Sequence, residues 1–256
     1  MSDASFRLIE TLKQVDLIAA EDTRVTQKLL NRFEIKTKCI RLDKFTELTK
    51  LDSLLKFLNS GKDIAYVSDA GTPGISDPGA VSVKFLVEHG INVVLIPGAS
   101  AITSLISCSG LDLDSYKFCG FVPRKQGEFK QMLEALVFGS TTGVFFESPS
   151  RILKSFKLLN EWYPKINCVV AKELTKVHER FYRGNITTVY NSLIDANLKG
   201  EWVFILDFRT KLQVKSSINE EFLSFCQTMN LSTQDIIKLS VCLGMKKNEV
   251  YNYLHR

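Results

Sequence analysis

From Asp69 to Gly79 the chain reads DAGTPGISDPG, with five glycine or proline pivots in eleven residues between an apolar run and an amphipathic one. That density costs folding free energy, and it lets a backbone approach a ligand closely. Asp77 as cap and Pro78 as first helical residue would start a helix whose free N–H groups suit a small anionic or polar ligand. The loop has neither the GK[ST] of a Walker A motif nor a GxGxxG fingerprint, so nucleoside triphosphate and ordinary NAD readings lose their main support. A purely structural strand-to-helix turn accounts for the same residues.

Other segments carry chemistry at comparable positions. IPGASA, Ile96 to Ala101, is a second glycine turn after an apolar run, and strand ends on one edge of a parallel sheet share a crevice. EDTRVT, Glu21 to Thr26, sets two carboxylates, a guanidinium and two hydroxyls at a strand-to-helix junction. It either binds a ligand or caps a helix through Asp22 or Thr23. FFESPSR, Phe145 to Arg151, offers a carboxylate and an arginine able to grip a phosphate, or Ser148 as cap with Pro149 in the first turn. AKELTKVHERFYRG gathers Lys172, Glu173, Lys176, His178, Glu179 and Arg183, a mix suited to a phosphodiester and a proton, although charged strand ends are usually just solvated. No Ser-His-Asp order, HExxH or paired Cys and His supports hydrolase or metal chemistry.

The elements that must position these residues follow an α/β pattern, because buried parallel strands read as continuous Val, Ile and Leu. Helices are expected at SFRLIETLKQV, with Phe6, Ile9, Leu12 and Val15 on one stripe, and at TRVTQKLLNRF, LDSLLKFLNS, VSVKFLVEH ending at Gly90, and SAITSLISC. Strands are expected at DLIAAED, CIRLD, IAYVSD and INVVLIPG. After GLDLDS the pattern restarts: YKFCGFV, TGVFFES, INCVVAKEL and EWVFILDF as strands, HERFYRGNI as an antiparallel neighbour, and helices around FKQMLEAL and SRILKSFKLLNEWY. A polar linker, KLQVKSSINE, precedes two short helices separated by Gly244, with Ser232 and Asp235 as a capping pair. The expected division is an N-terminal α/β domain at 1–112, a C-terminal α/β domain at 113–210 and a helical extension at 211–256.

With 256 residues, 45% hydrophobic and 24% charged, the chain can bury a core and is not disordered throughout. Its formal charge of +5 tolerates RNA without demanding it. No apolar run reaches membrane-span length and MSDASFRLIE lacks signal-peptide regions, so a soluble, cytoplasmic protein is expected. Six scattered cysteines fit reduced, mostly buried thiols.

EDTR, VSDAGTPGISDPG, IPGASAITSLISCSGL, GFVPRK, FFESPSRI, KELTKVHE and KGEWVFIL, in that order, resemble the small-subunit ribosomal RNA 2′-O-methyltransferase family, which methylates a decoding-centre cytidine and belongs to the tetrapyrrole methylase superfamily. The resemblance implies two α/β domains with S-adenosylmethionine between them, a homodimer and no metal. It implies that Asp69, Ala70, Gly71, Thr72, Pro73, Pro97, Gly98, Ala99, Ser100 and Glu201 bind the cofactor. Glu147, Glu173 and Glu179 become candidate bases for the ribose hydroxyl, and Arg24, Arg124, Lys125, Arg151, Lys172 and Lys176 candidate contacts to small-subunit RNA. The other readings are a non-catalytic RNA-binding or assembly relative without cofactor, and a small-molecule (tetrapyrrole) methylase, which would be expected to lack EDTR and ESPSR.

Three departures from the family pattern stand out. Ser150 replaces the His of ESPHR, and Lys172 replaces an Arg. The family also begins with a strand and a Thr-Pro-Ile-Gly-Asn-Leu loop. By that resemblance Met1 falls on the loop's last residue, and about fifteen residues of strand and turn are expected to be missing. Such a strand would sit inside the first sheet, and without it two edges stay unpaired.

Overall fold

A computed structural model describes residues 2–209, 220–229, 231–242, 245 and 247–255. They fall into two compact units, Met1–Asp207 and Phe208–Arg256. The first unit holds two sheets, one on each side of the GLDLDS segment.

The first sheet is parallel, with β1 (Leu17–Ala20) between β2 (Cys39–Arg41) and β3 (Ile64–Val67). As the middle strand, β1 is buried throughout, whereas every residue of β3, paired on one side only, is half-buried. Helix α1 (Phe6–Gln14), capped by Ser5, sets Leu12 against Ile18, Leu30 and Ile35. Phe6 does not join the expected stripe and remains 88% exposed. Helix α2 (Thr23–Arg32) follows β1, and α3 (Glu47–Asn59) starts four residues before the expected LDSLL segment. The buried Glu47 carboxylate accepts the Ser82 amide at 2.8 Å and so ties α3 to α4 (Ala80–Glu88).

Two expectations for this half need correction. Gly79, not Asp77, is the N-cap of α4, so Pro78 lies in the preceding turn; Gly90 does end the helix with a left-handed φ of 76°. The segment 91–98 forms no strand, and Val94 and Leu95 are 69% and 67% exposed. An apolar run becomes a parallel strand only when a neighbour completes its hydrogen bonds. Among the described residues β3 pairs with β1 alone, and none supplies that neighbour.

The second sheet runs β4 (Lys117–Phe121), β5 (Thr142–Glu147), β8 (Trp202–Asp207), β6 (Asn167–Lys172), β7 (Arg180–Asn185). Only β4 and β5 are parallel; β6–β7 is the expected antiparallel pair. One face receives α5 (Ala101–Ser107), whose Leu105 packs on Val144, Val169, Ala171, Val203 and Ile205. Helices α6 (Gln126–Phe138) and α7 (Ile152–Trp162) bring Phe129 and Phe156 to an aromatic core in which Phe145 and Phe204 stack at 5.1 Å. Ser148 is not the cap of α7; Arg151 holds that position after a turn in which the Ser148 carbonyl accepts two amides. Helix α8 (Ile186–Ile194) is capped by Asn185.

In the second unit α9 (Glu220–Thr228), α10 (Thr233–Cys242) and α11 (Lys247–Leu254) share a core of Leu223, Cys226, Ile236 and Val250. Helix α9 is additional to the two expected helices. The Ser232 Oγ and Asp235 form the expected capping pair at 2.6 and 3.2 Å. Residues 211–219 of the expected linker, and Gly244, lie outside the described residues. No described helix is long and apolar enough to cross a membrane. The five described cysteines are free; Cys168 and Cys226 are buried, Cys39 and Cys119 half-buried and Cys108 exposed, so fewer are fully buried than the mostly buried set expected.

Candidate functional site

The carboxyl ends of β1 and β3 carry EDTR and DAGTPGISDPG, and the two loops brace each other. The Asp69 carboxylate accepts the Asp22 amide, and Glu21 accepts the Asp69 amide, each at 3.2 Å. Asp22 is the N-cap of α2, so the capping reading of EDTR holds, and it also grips Arg24 at 2.6 Å. That guanidinium holds the Asp22 carboxyl well below the usual carboxylate range. Arg24 itself is 88% exposed.

The glycine loop is tightly folded. At Gly79 φ is 124°, and a Cβ there would lie 2.7 Å from the Tyr66 ring, so only glycine lets the chain turn over that ring. Ser76 takes a left-handed φ of 64°, a strained conformation for a residue with a Cβ, beside Gly120 of β4. Asp77 is half-buried there. Burial, with the negative charges of Glu21, Asp69 and Glu201, pushes its carboxyl up to about 6. Glu21, Asp69 and Glu201 thus lie close enough to Asp77 to act on its charge. Asp69, Ala70 and Gly71 are exposed and Thr72 and Pro73 half-buried.

The second candidate loop, Ile96 to Ala101, leads into α5. Pro97, Gly98 and Ala99 are exposed, the Pro97 carbonyl accepts the Ser5 hydroxyl at 3.4 Å, and Ser100 caps α5. Because α5 packs on the second sheet, this loop joins the two halves of the unit. Arg183 fastens the far end of α5, donating to the Cys108 carbonyl at 2.7 Å.

The second-sheet residues divide into three groups. Glu173, at a left-handed φ of 53°, accepts the Glu201 amide and the Lys176 ammonium, each at 2.9 Å, and Lys176 also reaches Glu201 at 3.0 Å. Burial pushes the Glu173 carboxyl up, but these partners outweigh it and hold it below its ordinary value. A Cβ at Gly200 would stand 2.6 Å from the Glu173 Cγ, so glycine keeps the two loops in contact. Glu179 is exposed and accepts the Thr175 amide at 2.7 Å; His178 is exposed. Lys172 is buried, donates to the Asn197 carbonyl at 2.6 Å and lies over Trp202, so its charge is spent inside the fold.

Glu147 is sealed from solvent. It accepts the Ser148 amide at 2.8 Å and the Ser155 hydroxyl at 2.6 Å, and Arg151 lies 3.4 Å away. Arg151 and Arg124 line a pocket of about 330 Å³ with Lys154 and Phe129, while Lys125 pairs with Glu128. Sequence reading did not single out Ser155 or Lys154. Their spacing from Glu147 and Arg151, eight and three residues, is a weak signal across a turn and a helix start. A larger cavity, about 450 Å³, lies away from these loops, between Asp16, Lys38, Phe57 and Lys62. Among the described residues no group of three or more His, Cys, Asp or Glu is arranged to hold a metal ion.

Residues 1–190 match the family model for tetrapyrrole (corrin/porphyrin) methylases. Solved structures share the fold: diphthine synthase at TM-score 0.63 and 14% identity, covering 80% of this chain and 84% of that one, and cobalt precorrin-4 methyltransferase, a cobalamin biosynthetic enzyme, at 0.61 and 15%, covering 81% and 90%. Proteins described as ribosomal RNA small subunit methyltransferase I are much more similar in sequence. The one from Halalkalibacterium halodurans is 35% identical over all of this chain and 91% of its own length, that from Bacillus subtilis 35% over all of this chain and 90% of its own, and that from Streptococcus pyogenes 38% over 97% and 83%. The chain belongs to the ribosomal RNA small subunit methyltransferase I family of the tetrapyrrole methylases.

Proposed function

We propose that this protein transfers a methyl group from S-adenosylmethionine to the 2′-hydroxyl of a cytidine ribose in the decoding region of small-subunit ribosomal RNA. It works in the cytoplasm as a homodimer, with the division at 112 and 210 separating its two α/β domains and helical extension. The observation that carries the reading is the crevice at DAGTPGISDPG, in which burial, with the negative charges of Glu21, Asp69 and Glu201, pushes the Asp77 carboxyl up to about 6. A positively charged cofactor fits that donor set. The bound cofactor supplies an activated methyl sulfonium, so the transfer needs alignment more than strong acid or base.

The chain's own residues do the rest. Asp69 to Pro73 and Pro97 to Ser100 line the cofactor site, and Glu201 contributes charge from the second sheet. When bound, the cofactor would supply its methyl group to the ribose oxygen and leave as S-adenosylhomocysteine, and the chain's part would be to take the hydroxyl proton on a carboxylate. Glu147 is sealed, and the partners that lower the Glu173 carboxyl make it the weaker and already engaged base, which leaves the exposed Glu179 as acceptor. Arg24, Arg124 and Lys125 meet RNA phosphates, with affinity falling as salt rises.

The test is calorimetric titration of S-adenosylhomocysteine at low salt, followed by labelled methyl transfer to small ribosomal subunits and mapping of the methylated ribose. Saturable binding and one labelled cytidine 2′-oxygen are expected. Cofactor binding with label only on a corrinoid acceptor would overturn the RNA assignment. RNA binding without cofactor binding would favour a non-catalytic assembly factor.

A further inference from the structure

Glu147 and Arg151 form a bonded pair in the second sheet's loops, with the carboxylate fully enclosed and the guanidinium 29% exposed. Glu147 ends β5 with both carboxylate oxygens in use, one by the Ser148 amide and the other by the Ser155 hydroxyl of α7. Removing such a carboxylate from water is tolerable only because these donors and the nearby guanidinium compensate it. Arg151 in turn donates from Nη2 to two successive carbonyls, Val122 at 2.8 Å and Pro123 at 2.9 Å. Those carbonyls belong to the turn that leaves edge strand β4, where the Val122 amide still bonds the Phe146 carbonyl at 3.1 Å. The next two residues are Arg124 and Lys125, both exposed, and Arg124 and Lys154 both line the 330 Å³ pocket.

We propose that Glu147 and Arg151 are positioning residues for RNA: the buried carboxylate orients the guanidinium, which pins the Val122–Pro123 turn so that Arg124 and Lys154 present two charges to one backbone phosphate. This rests on RNA being the substrate. It reassigns Glu147 from base to anchor and adds Lys154 to the RNA-facing cations. A flexible edge turn bearing Arg124 would pay ordering entropy at each binding event, and the latch removes that cost beforehand.

The experiment compares the full chain with Glu147→Gln, Arg151→Lys, Arg124→Ala and the double Arg151→Lys/Arg124→Ala. Methyl transfer to small-subunit RNA gives KM and kcat, and hydrogen exchange follows residues 122–126. Glu147→Gln and Arg151→Lys are each expected to raise the RNA KM about tenfold, the worth of one charge-assisted hydrogen bond, with kcat held within about twofold. Exchange at 122–126 should rise in both, while S-adenosylhomocysteine affinity stays at the wild-type value. Arg124→Ala should raise KM without changing that exchange, and the double variant should cost no more than the larger single, because a loosened turn has no Arg124 left to misplace. A kcat loss of a hundredfold or more at unchanged KM in Glu147→Gln would overturn the proposal in favour of a base. Additive KM effects, or unchanged exchange, would overturn it too. If Glu147→Gln fails to fold, Arg151→Lys, which keeps the charge but not the fork, decides alone. Wild-type protein that binds no RNA would sink the RNA reading itself. Wild-type binding with unaltered variants would sink only the latch.

Discussion

Strands β5, β6 and β8 are buried along almost their whole length, while β3 in the first sheet is half-exposed at every position and the apolar segment after α4 forms no ladder. One sheet has two faces covered and three interior strands; the other has a single interior strand, β1. The loops proposed to hold the cofactor are therefore mounted on the looser half, where a ligand that binds only the folded form adds most to local order. The proposed RNA latch and the Glu173–Lys176–Glu201 cluster sit on the firmer one.

The largest way to test that contrast is to cut the firm half at its centre. Phe204 is fully buried, stacked on Phe145 at 5.1 Å and edge-on to Phe156 at 5.2 Å. Phe204→Ala should cost about 3–5 kcal/mol in a urea unfolding transition, the range for truncating a core aromatic. A loss under about 1 kcal/mol would mean that the second sheet is not the stability core.

A smaller effect separates the halves by charge. Asp77 has its carboxyl raised from 3.8 to about 6, so the folded chain holds this proton more firmly than the unfolded chain does. Its contribution is most favourable below about pH 4 and is lost as pH rises through about 6. Asp77→Asn should therefore stabilise the protein above that range by about 1–2 kcal/mol, discounted for partial exposure, and flatten stability between pH 4 and 6. An unchanged pH profile would show that the carboxylates do not act on one another. Added S-adenosylmethionine should bind more tightly as pH rises through the same window.

How much was legible in the sequence follows the same division. Strands that are buried on both sides, such as TGVFFES and EWVFILDF, are read from continuous apolar runs because burial alone decides them. INVVLIPG has the same composition and fails, because a parallel strand depends on a neighbour that no local pattern records. The site behaves similarly. DAGTPGISDPG is readable from its glycines and prolines, whereas the fate of Glu147 and Lys172 is not, since whether a charged residue faces a crevice or is enclosed by Ser155, Asn197 and Trp202 is set by tertiary packing. Helix starts at Ala80 and Ile152 were misplaced for a related reason: Asp-Pro and Ser-Pro begin turns as readily as helices, and here the turn comes first.

The smallest expected effect is the sharpest probe of the loose half. Val94 is 69% exposed in a segment that makes no strand pairing, so Val94→Ser removes little buried surface and should change stability by no more than about 0.5 kcal/mol. Val144, fully buried against Leu105 on the second sheet, gives the matched control, because the same change there empties a packed site and buries a hydroxyl. A cost above about 1 kcal/mol at Val94 would mean that something covers residues 91–97 in solution. Concentration dependence of that cost would identify a second copy of the chain as the cover, since only then does the apparent stability follow mass action. A near-zero cost at every concentration would leave the first sheet open at this edge, with the cofactor loops held chiefly by Glu21, Asp22 and Asp69.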